Sequence, residues 1–310
     1  YWGRKMEGGP FVWLSKHKKG FLASMYAFFL AVAGLLTGCT TQSNALAQMV
    51  NELFNIPTYI TGIVAVLITG LVILRGLKGI EKFCMFLVPF MGFFYLGGCI
   101  IFLVLNSVNV FPAITLIMKS AFSASSFVGG AIGYSLSKAL RFGIARGLFT
   151  NEAGLGTASI IASSTDAEPH EQGLISMSAT FWDTVVMCAI TGVVIVAYLI
   201  NTPLSLLTKS PGSLTLAAFS TLPFFGAEIL TFATVCFAIS TLIGWSYIGK
   251  CGAYYLWGQK KGKIYLYFYL AMIFVGALLS LELIWEVTDL VNVFLLLPSV
   301  YALVKLSSTS

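Results

Sequence analysis

The chain has 310 residues, of which 58% are hydrophobic and only 10% are charged. Since an ordinary soluble domain carries about 25% charged residues, this composition excludes a soluble globular protein and predicts a lipid bilayer as the surroundings. The formal net charge is +6, but no basic run is interleaved with aromatic residues as nucleic-acid binding requires, so we expect no nucleic-acid partner.

Apolar runs long enough to cross a bilayer, which takes about 20 residues, recur along the whole chain with no polar block between them. They predict seven transmembrane helices, near residues 21–48, 58–74, 83–105, 173–200, 226–249, 264–284 and 288–305. An eighth apolar stretch, 128–165, is interrupted by Arg141, Arg146 and the polar run 150–156. The sequence therefore predicts an all-α, polytopic membrane protein, with one domain over 1–310 and about eight helices, one of them broken.

The basic residues fall mainly on one side when eight helices are threaded from a cytoplasmic N-terminus. Thirteen lysines and arginines then lie in cytoplasmic segments, and Lys119 and Lys209 lie outside. An excess of Lys and Arg marks cytoplasmic loops. We therefore expect a multi-pass protein of the cell (inner) membrane with both ends of this chain in the cytoplasm.

The interrupted helix carries Gly154 and Gly156, which are poor helix formers. Unwound backbone at membrane depth is tolerated where it is buried in protein or lines a cavity, as in the discontinuous helices of secondary transporters. Its free carbonyls suit a sodium ion, and the N-terminus of the second half-helix suits a carboxylate. A kink with glycine packing is the alternative. Arg146 and Glu152 could pair across the break, in a structural or a coupling role.

Polar residues also occur inside two of the uninterrupted helices. Gly34, Gly38 and Gln42 share one face at i, i+4 and i+8, and small residues at this spacing indicate close helix packing, whereas the Gln42 amide needs a polar partner or cavity. Asp183 is the only acid well inside 173–200, so it should face the bundle interior. Ion binding and structural hydrogen bonding remain open for Asp183.

Ser240, Thr241 and Trp245 form a further group on one predicted helix. Adjacent hydroxyls beside unwound carbonyls would supply oxygen ligands for sodium. Trp245, one turn beyond Thr241, could line a small-molecule pocket. The alternative is an aromatic side chain that faces lipid or the core.

An enzymatic function has little support, because His17 and His170 fall in predicted cytoplasmic loops and leave no histidine at membrane depth. Ser135 and Lys138 are spaced as a Ser–Lys dyad could be, but that spacing is common. We expect no enzyme and no cofactor. A polar-lined channel is the alternative to a transporter, although the chain has no short repeated filter and no ring-forming charge pattern.

Three stretches together resemble the alanine/glycine:cation symporter family, the sodium:alanine symporters. They are the run from Arg146 to Ala158, then Gln172 to Ile175, and then Thr180 to Thr184. Shorter supporting pieces are Gly8-Gly9-Pro10, Gln42-Ser43-Asn44, Leu87 to Met91, Ser240 to Tyr247 and Asp289 to Pro298. The resemblance covers essentially the whole chain.

The resemblance implies a leucine-transporter-type fold of two inverted five-helix repeats, here a monomer that carries out sodium-coupled symport of a small neutral amino acid, alanine or glycine. Residues 1–105 would be the remainder of repeat one, and 128–310 would be repeat two. The first core helices would then be missing, which implies an N-terminally truncated sequence. The family's mechanism is alternating access around a site near the middle of the bilayer.

The resemblance also implies the roles of individual residues. Sodium, as coupling ion, would bind Ser240 and Thr241, and Arg146, Glu152 and Asp183 would have structural or coupling roles. Thr150 and Thr157 stand where serine is expected, which keeps a hydroxyl but leaves the preference for alanine or glycine open. The substrate-binding residues would be Gln42, Phe149, Asn151, Gly154, Gly156, Thr241 and Trp245.

Overall fold

The computed structural model describes residues 8–122, 150–202, 211–279 and 281–308, and every element within these ranges is helical. Length and apolar composition allow five of the described helices to cross a membrane: Gly20–Phe54, Leu77–Leu105, Pro169–Ile200, Gly226–Gly262 and Glu286–Ser307. Thr58–Ile73 and Ile264–Leu278 are shorter apolar helices. The protein is therefore a multi-pass membrane protein.

The described helices follow each other along the chain, with two π-helical segments inserted between α-helices. In the first half they are α1 (Pro10–Lys16), α2 (Gly20–Leu35), π1 (Leu36–Thr40), α3 (Thr41–Phe54), α4 (Thr58–Ile73), α5 (Leu77–Leu105) and α6 (Ser107–Phe122). In the second half they are α7 (Thr157–Ala162), α8 (Pro169–Thr180), π2 (Phe181–Cys188), α9 (Ala189–Ile200), α10 (Pro211–Phe219), α11 (Gly226–Gly262), α12 (Ile264–Leu278) and α13 (Leu281–Ser307).

Helices are present at all seven predicted uninterrupted spans, but several predicted boundaries were wrong by six residues or more, and two of these bear on particular side chains or contacts. The span predicted to end at 249 continues to Gly262, with its turn at Gly258, where φ is 74°. Lys250 therefore lies buried within α11, not in a loop, and its Nζ is 4.8 Å from the centre of the Tyr254 ring. The helix predicted to run to 284 ends at Leu278, because Leu279 is extended.

The eighth predicted helix is described only from Thr150 onward. Thr150 and Asn151 are helical, residues 152–156 are irregular, and the chain becomes helical again at Thr157. The described part therefore confirms the predicted break. Arg141, Arg146 and Phe149 lie outside the described residues.

The chain forms two compact units. The first comprises Tyr1–Pro89, Glu152–Ser176 and Thr234–Ser310, and the second comprises Phe90–Asn151 and Met177–Ala233. Each unit combines segments of both predicted repeats, so the division into 1–105 and 128–310 stays a prediction.

In the first unit, α2 and α11 pack closely and in opposite directions. A Cβ atom on Gly34 would come within 3.0 Å of the Gly249 Cα, and one on Gly38 would overlap the Trp245 side chain. The close packing predicted for these glycines is therefore observed. As residue numbers increase along α2 they decrease along α11, which makes the two helices antiparallel.

Two buried tyrosines of α12 bind backbone carbonyls of these packed helices. The Tyr265 hydroxyl donates to the Ala31 carbonyl at 2.9 Å, and the Tyr269 hydroxyl donates to the Leu242 carbonyl at 2.7 Å. The amide nitrogen of Asn44 donates to the carbonyls of Gly276 and Leu279, where α12 ends. These bonds join α2, α3, α11 and α12 into one body.

The second unit has its own apolar core. It includes Cys99 and Phe102 from α5, Ala113 from α6, Val194 and Ala197 from α9, and Ala218 and Phe219 from α10. The Tyr95 and Thr191 hydroxyls share a hydrogen bond between α5 and α9. These contacts hold α5, α9 and α10 together within the unit.

We predict that Gly34→Ala lowers the melting temperature of the protein in detergent. The added methyl group would meet the Tyr265 hydroxyl and the Gly249 backbone, and overpacking of this kind costs about 1–3 kcal/mol. The control is Gly92→Ala in α5, where a Cβ has no heavy atom within 4 Å. Equal melting temperatures for the two variants would contradict the close α2–α11 contact.

Candidate functional site

The break in the interrupted helix is a short segment of irregular backbone, Glu152–Gly156. Its φ angles are 53° at Glu152, 85° at Gly154 and 83° at Gly156. Glycine adopts these left-handed values freely, whereas for glutamate they cost about 1–2 kcal/mol. The Leu155 amide donates to the Glu152 carbonyl at 3.0 Å and closes a turn. The two glycines thus explain where the helix breaks.

Side chains from other elements of the first unit hold this segment. The hydroxyl of fully buried Tyr26, on α2, donates to the Leu155 carbonyl at 2.7 Å. A Cβ on Gly156 would lie 2.9 Å from both the Tyr26 hydroxyl and the Ser299 Oγ, and it would overlap Pro10. The irregular backbone therefore packs against α1, α2 and α13, and the Tyr26 hydroxyl donates a hydrogen bond to it.

The Glu152 carboxylate accepts hydrogen bonds from two side chains. The Thr157 hydroxyl, at the start of α7, donates to Oε2 at 2.6 Å, and the Trp245 indole nitrogen donates to Oε1 at 3.1 Å. Trp245 is only 5% exposed and packs on Gly38. The structure thus brings together two of the predicted site residues, Glu152 and Trp245, which are 93 positions apart.

Three other predicted site residues of the first unit lie on α3 and α11. Ser240 is buried, and its hydroxyl donates to the Phe237 carbonyl at 2.8 Å. Thr241 is half-buried one turn before Trp245, and Gln42 is half-buried on α3. The two hydroxyls predicted for sodium are therefore on the same helix as the tryptophan that contacts the broken segment.

Two predicted residues of the second unit, Asn151 and Asp183, are joined through Thr184 by a series of polar contacts. The Asn151 amide nitrogen donates to the Thr184 hydroxyl at 2.6 Å, and that hydroxyl donates to the Asp183 carboxylate at 3.4 Å. The Asn151 side-chain oxygen is buried and has no hydrogen-bond partner among the described residues. An amide oxygen, a hydroxyl and a half-buried carboxylate thus occur together, which is a set of oxygens that a cation accepts.

Sequence reasoning did not single out Tyr26, although Tyr26 supplies the hydrogen bond to the broken segment. A tyrosine in an apolar helix has no spacing that distinguishes it from an ordinary core residue. Gly8 and Gly9 contributed only to the family resemblance, yet they lie against Ser163 and Ile160, at and beyond the end of α7. Their contact with the half-helix is a feature that only the fold reveals.

Comparison with known proteins identifies a single family over nearly the whole chain. The sequence pattern of the sodium:alanine symporter family matches residues 3–310. An uncharacterized transporter of Haemophilus influenzae is 37% identical over 97% of this chain and 66% of its own length. The sodium/alanine symporter AgcS of Methanococcus maripaludis is 38% identical over 98% of this chain and 67% of its own length.

The sodium/proton-dependent alanine carrier protein of Bacillus sp. is 31% identical over 87% of this chain and 63% of its own length. The chain spans about two thirds of the length of these curated relatives. The chain belongs to the sodium:alanine symporter family, which is a family of transporters and not of enzymes.

We predict that Tyr26→Phe exposes the broken segment to solvent exchange. Without the hydroxyl, the buried Leu155 carbonyl loses its partner, and an unmade buried hydrogen bond costs about 1–3 kcal/mol. Hydrogen–deuterium exchange of peptides that contain residues 152–157 should become faster. The matched control is Tyr59→Phe on α4, where the side chain is exposed. Unchanged exchange in Tyr26→Phe would show that another contact holds the segment.

Proposed function

We propose that this member of the sodium:alanine symporter family carries out sodium-coupled symport of a small neutral amino acid, alanine or glycine, as part of the whole protein. The observation that carries the proposal is the irregular segment Glu152–Gly156, which packs against neighbouring helices in a chain with several helices long and apolar enough to cross a membrane. Irregular backbone at membrane depth is how secondary transporters form their binding sites. The family relationship supplies sodium and alanine as the first ligands to test.

In this proposal the backbone around Gly154 and Gly156 binds the polar ends of the substrate, and Phe149 and Asn151, which precede the break in the sequence, contribute to the same binding. Thr241 and Trp245 limit the space for the substrate side chain. Gln42, from α3, faces the same cavity. The support for this assignment within the first unit is the direct contact of Trp245 with Glu152, which borders the break.

Two sets of oxygens are the proposed contacts of the coupling ion. The first is the Ser240 and Thr241 hydroxyls on α11. The second is Asp183 with Asn151 and Thr184, whose side chains form a hydrogen-bonded series in the second unit. Both sets consist mainly of neutral hydroxyl and amide oxygens, with Asp183 as the only carboxylate in them, as a monovalent cation can accept.

Alternating access in a leucine-transporter-type fold is the mechanism we propose. Sodium and substrate would both favour the same conformational state, so that each raises the affinity for the other. Glu152, Arg146 and Asp183 would contribute to this coupling or to the structure around it. The location in the cell membrane, the cytoplasmic position of both chain ends and the monomeric state stay predictions from the sequence.

The decisive experiment is uptake of radiolabelled alanine by proteoliposomes that contain the whole protein. An inward sodium gradient should accumulate alanine above the external concentration, with saturation, and replacing sodium by potassium should abolish the accumulation. Excess unlabelled glycine tests whether glycine shares the site. Uptake that only equilibrates, without any response to the sodium gradient, would overturn the proposal in favour of a channel.

We predict that Thr241→Val raises the sodium concentration for half-maximal uptake by about tenfold or more, since losing one hydrogen-bonding or ligating oxygen costs about 1–3 kcal/mol. The maximal rate at saturating sodium should change less. The matched control is Thr69→Val on α4, because Thr69 is fully buried and its hydroxyl has no partner among the described residues. Equal sodium dependence in the two variants would remove Thr241 from the sodium site.

A further inference from the structure

The Trp245 side chain is fixed from two directions. Its ring packs on Gly38, where a Cβ atom would overlap the indole, and its Nε1 donates to the Glu152 carboxylate at 3.1 Å. A tryptophan side chain has only two torsion angles, so a packed ring together with a directed hydrogen bond selects one rotamer. The absence of a side chain at Gly38 leaves room for the indole ring. The hydrogen bond to Glu152 orients the edge of the ring that carries Nε1.

Glu152 is itself held by the broken segment. Its φ of 53° is one that glutamate rarely adopts, its carbonyl accepts the Leu155 amide, and its carboxylate accepts the Thr157 hydroxyl. The Glu152 side chain reaches Trp245 from this left-handed backbone conformation. One hydrogen bond thus joins the irregular segment to the indole ring on α11.

We propose that Glu152 is a positioning residue that sets the size limit of the substrate by fixing the Trp245 rotamer. This inference rests on the proposed function, since it concerns the pocket that Trp245 would border. With the hydrogen bond present, the indole occupies the space that a larger substrate side chain would need. Without this hydrogen bond, the Trp245 ring can adopt other rotamers, and larger amino acids enter the substrate pocket.

The test compares uptake of alanine with uptake of 2-aminobutyrate and valine by the whole protein in proteoliposomes. Glu152→Ala should reduce the ratio of kcat/KM for alanine over valine by about tenfold or more, which is the range that pocket size can supply. Glu152→Met, which keeps the length but has no acceptor oxygen, should do the same. Glu152→Gln should retain the ratio, because its amide oxygen can still accept from the indole.

Two further variants separate positioning from other roles of the carboxylate. Trp245→Phe removes the N–H donor. Adding Glu152→Ala to Trp245→Phe should cause little further change in the alanine-to-valine ratio of kcat/KM, because the two substitutions remove the same contact. Thr157→Val removes the hydroxyl that donates to the second carboxylate oxygen of Glu152 and should leave the ratio within about twofold of the unmodified protein. These outcomes distinguish a loss of ring orientation from general disruption of the segment.

A spectroscopic readout tests the contact without transport. The indole ¹H–¹⁵N resonance of Trp245, assigned by its loss in Trp245→Phe, should shift in Glu152→Met and remain in place in Glu152→Gln and Thr157→Val. If the unmodified protein fails to accumulate alanine, the proposed function fails, while this resonance still reports on the contact.

Three results would overturn the inference itself. The first is an unchanged substrate ratio in Glu152→Met. The second is an equally large effect of Glu152→Ala in the Trp245→Phe background. The third is a loss of selectivity in Glu152→Gln as great as that in Glu152→Met, which would assign the effect to charge.

Discussion

Every backbone polar group of a bilayer-embedded bundle needs a hydrogen-bond partner inside the protein, because the hydrocarbon offers none. The irregular parts of this chain meet that constraint with side chains from neighbouring helices. Tyr26 binds the broken segment, and Asn44 binds the end of α12. Because each of these donors belongs to a different helix from its acceptor, the irregular backbone depends on the tertiary packing around it.

The seven uninterrupted helices could be predicted because apolar runs of sufficient length are a local property of the sequence. The break could be predicted for the same reason, since Gly154 and Gly156 weaken the helix where they stand. The boundaries near Lys250 and Leu278 could not, because one helix simply continues to the turn at Gly258 and the other ends where Asn44 binds it. Helix ends that depend on distant contacts are not encoded locally.

In the candidate site, too, local features could be predicted from the sequence and long-range contacts could not. Spacing suggested Arg146 as a partner of Glu152, and this pairing stays a prediction because Arg146 lies outside the described residues. Among the described residues, Thr157 and Trp245 donate hydrogen bonds to Glu152. Trp245 is far away in sequence, so only the antiparallel packing of α2 and α11 brings it to the break. The residue types indicated which side chains belong to the candidate site, but only the fold shows which of these side chains contact each other. Family membership then indicates which ligands such a site would serve.

The two π-helical segments have a consequence for how the sequence of this family can vary in length. A π-helical turn accommodates one more residue than an α-helical turn, and π-bulges of this kind are frequent at functional sites. The segment π1, Leu36–Thr40, separates Gly34, which lies against Gly249, from Ser43, which lies against Gly276. A relative with one residue fewer here could form a regular α-helix and keep both flanking faces in register. Single-residue gaps in alignments should therefore concentrate at π1 and π2.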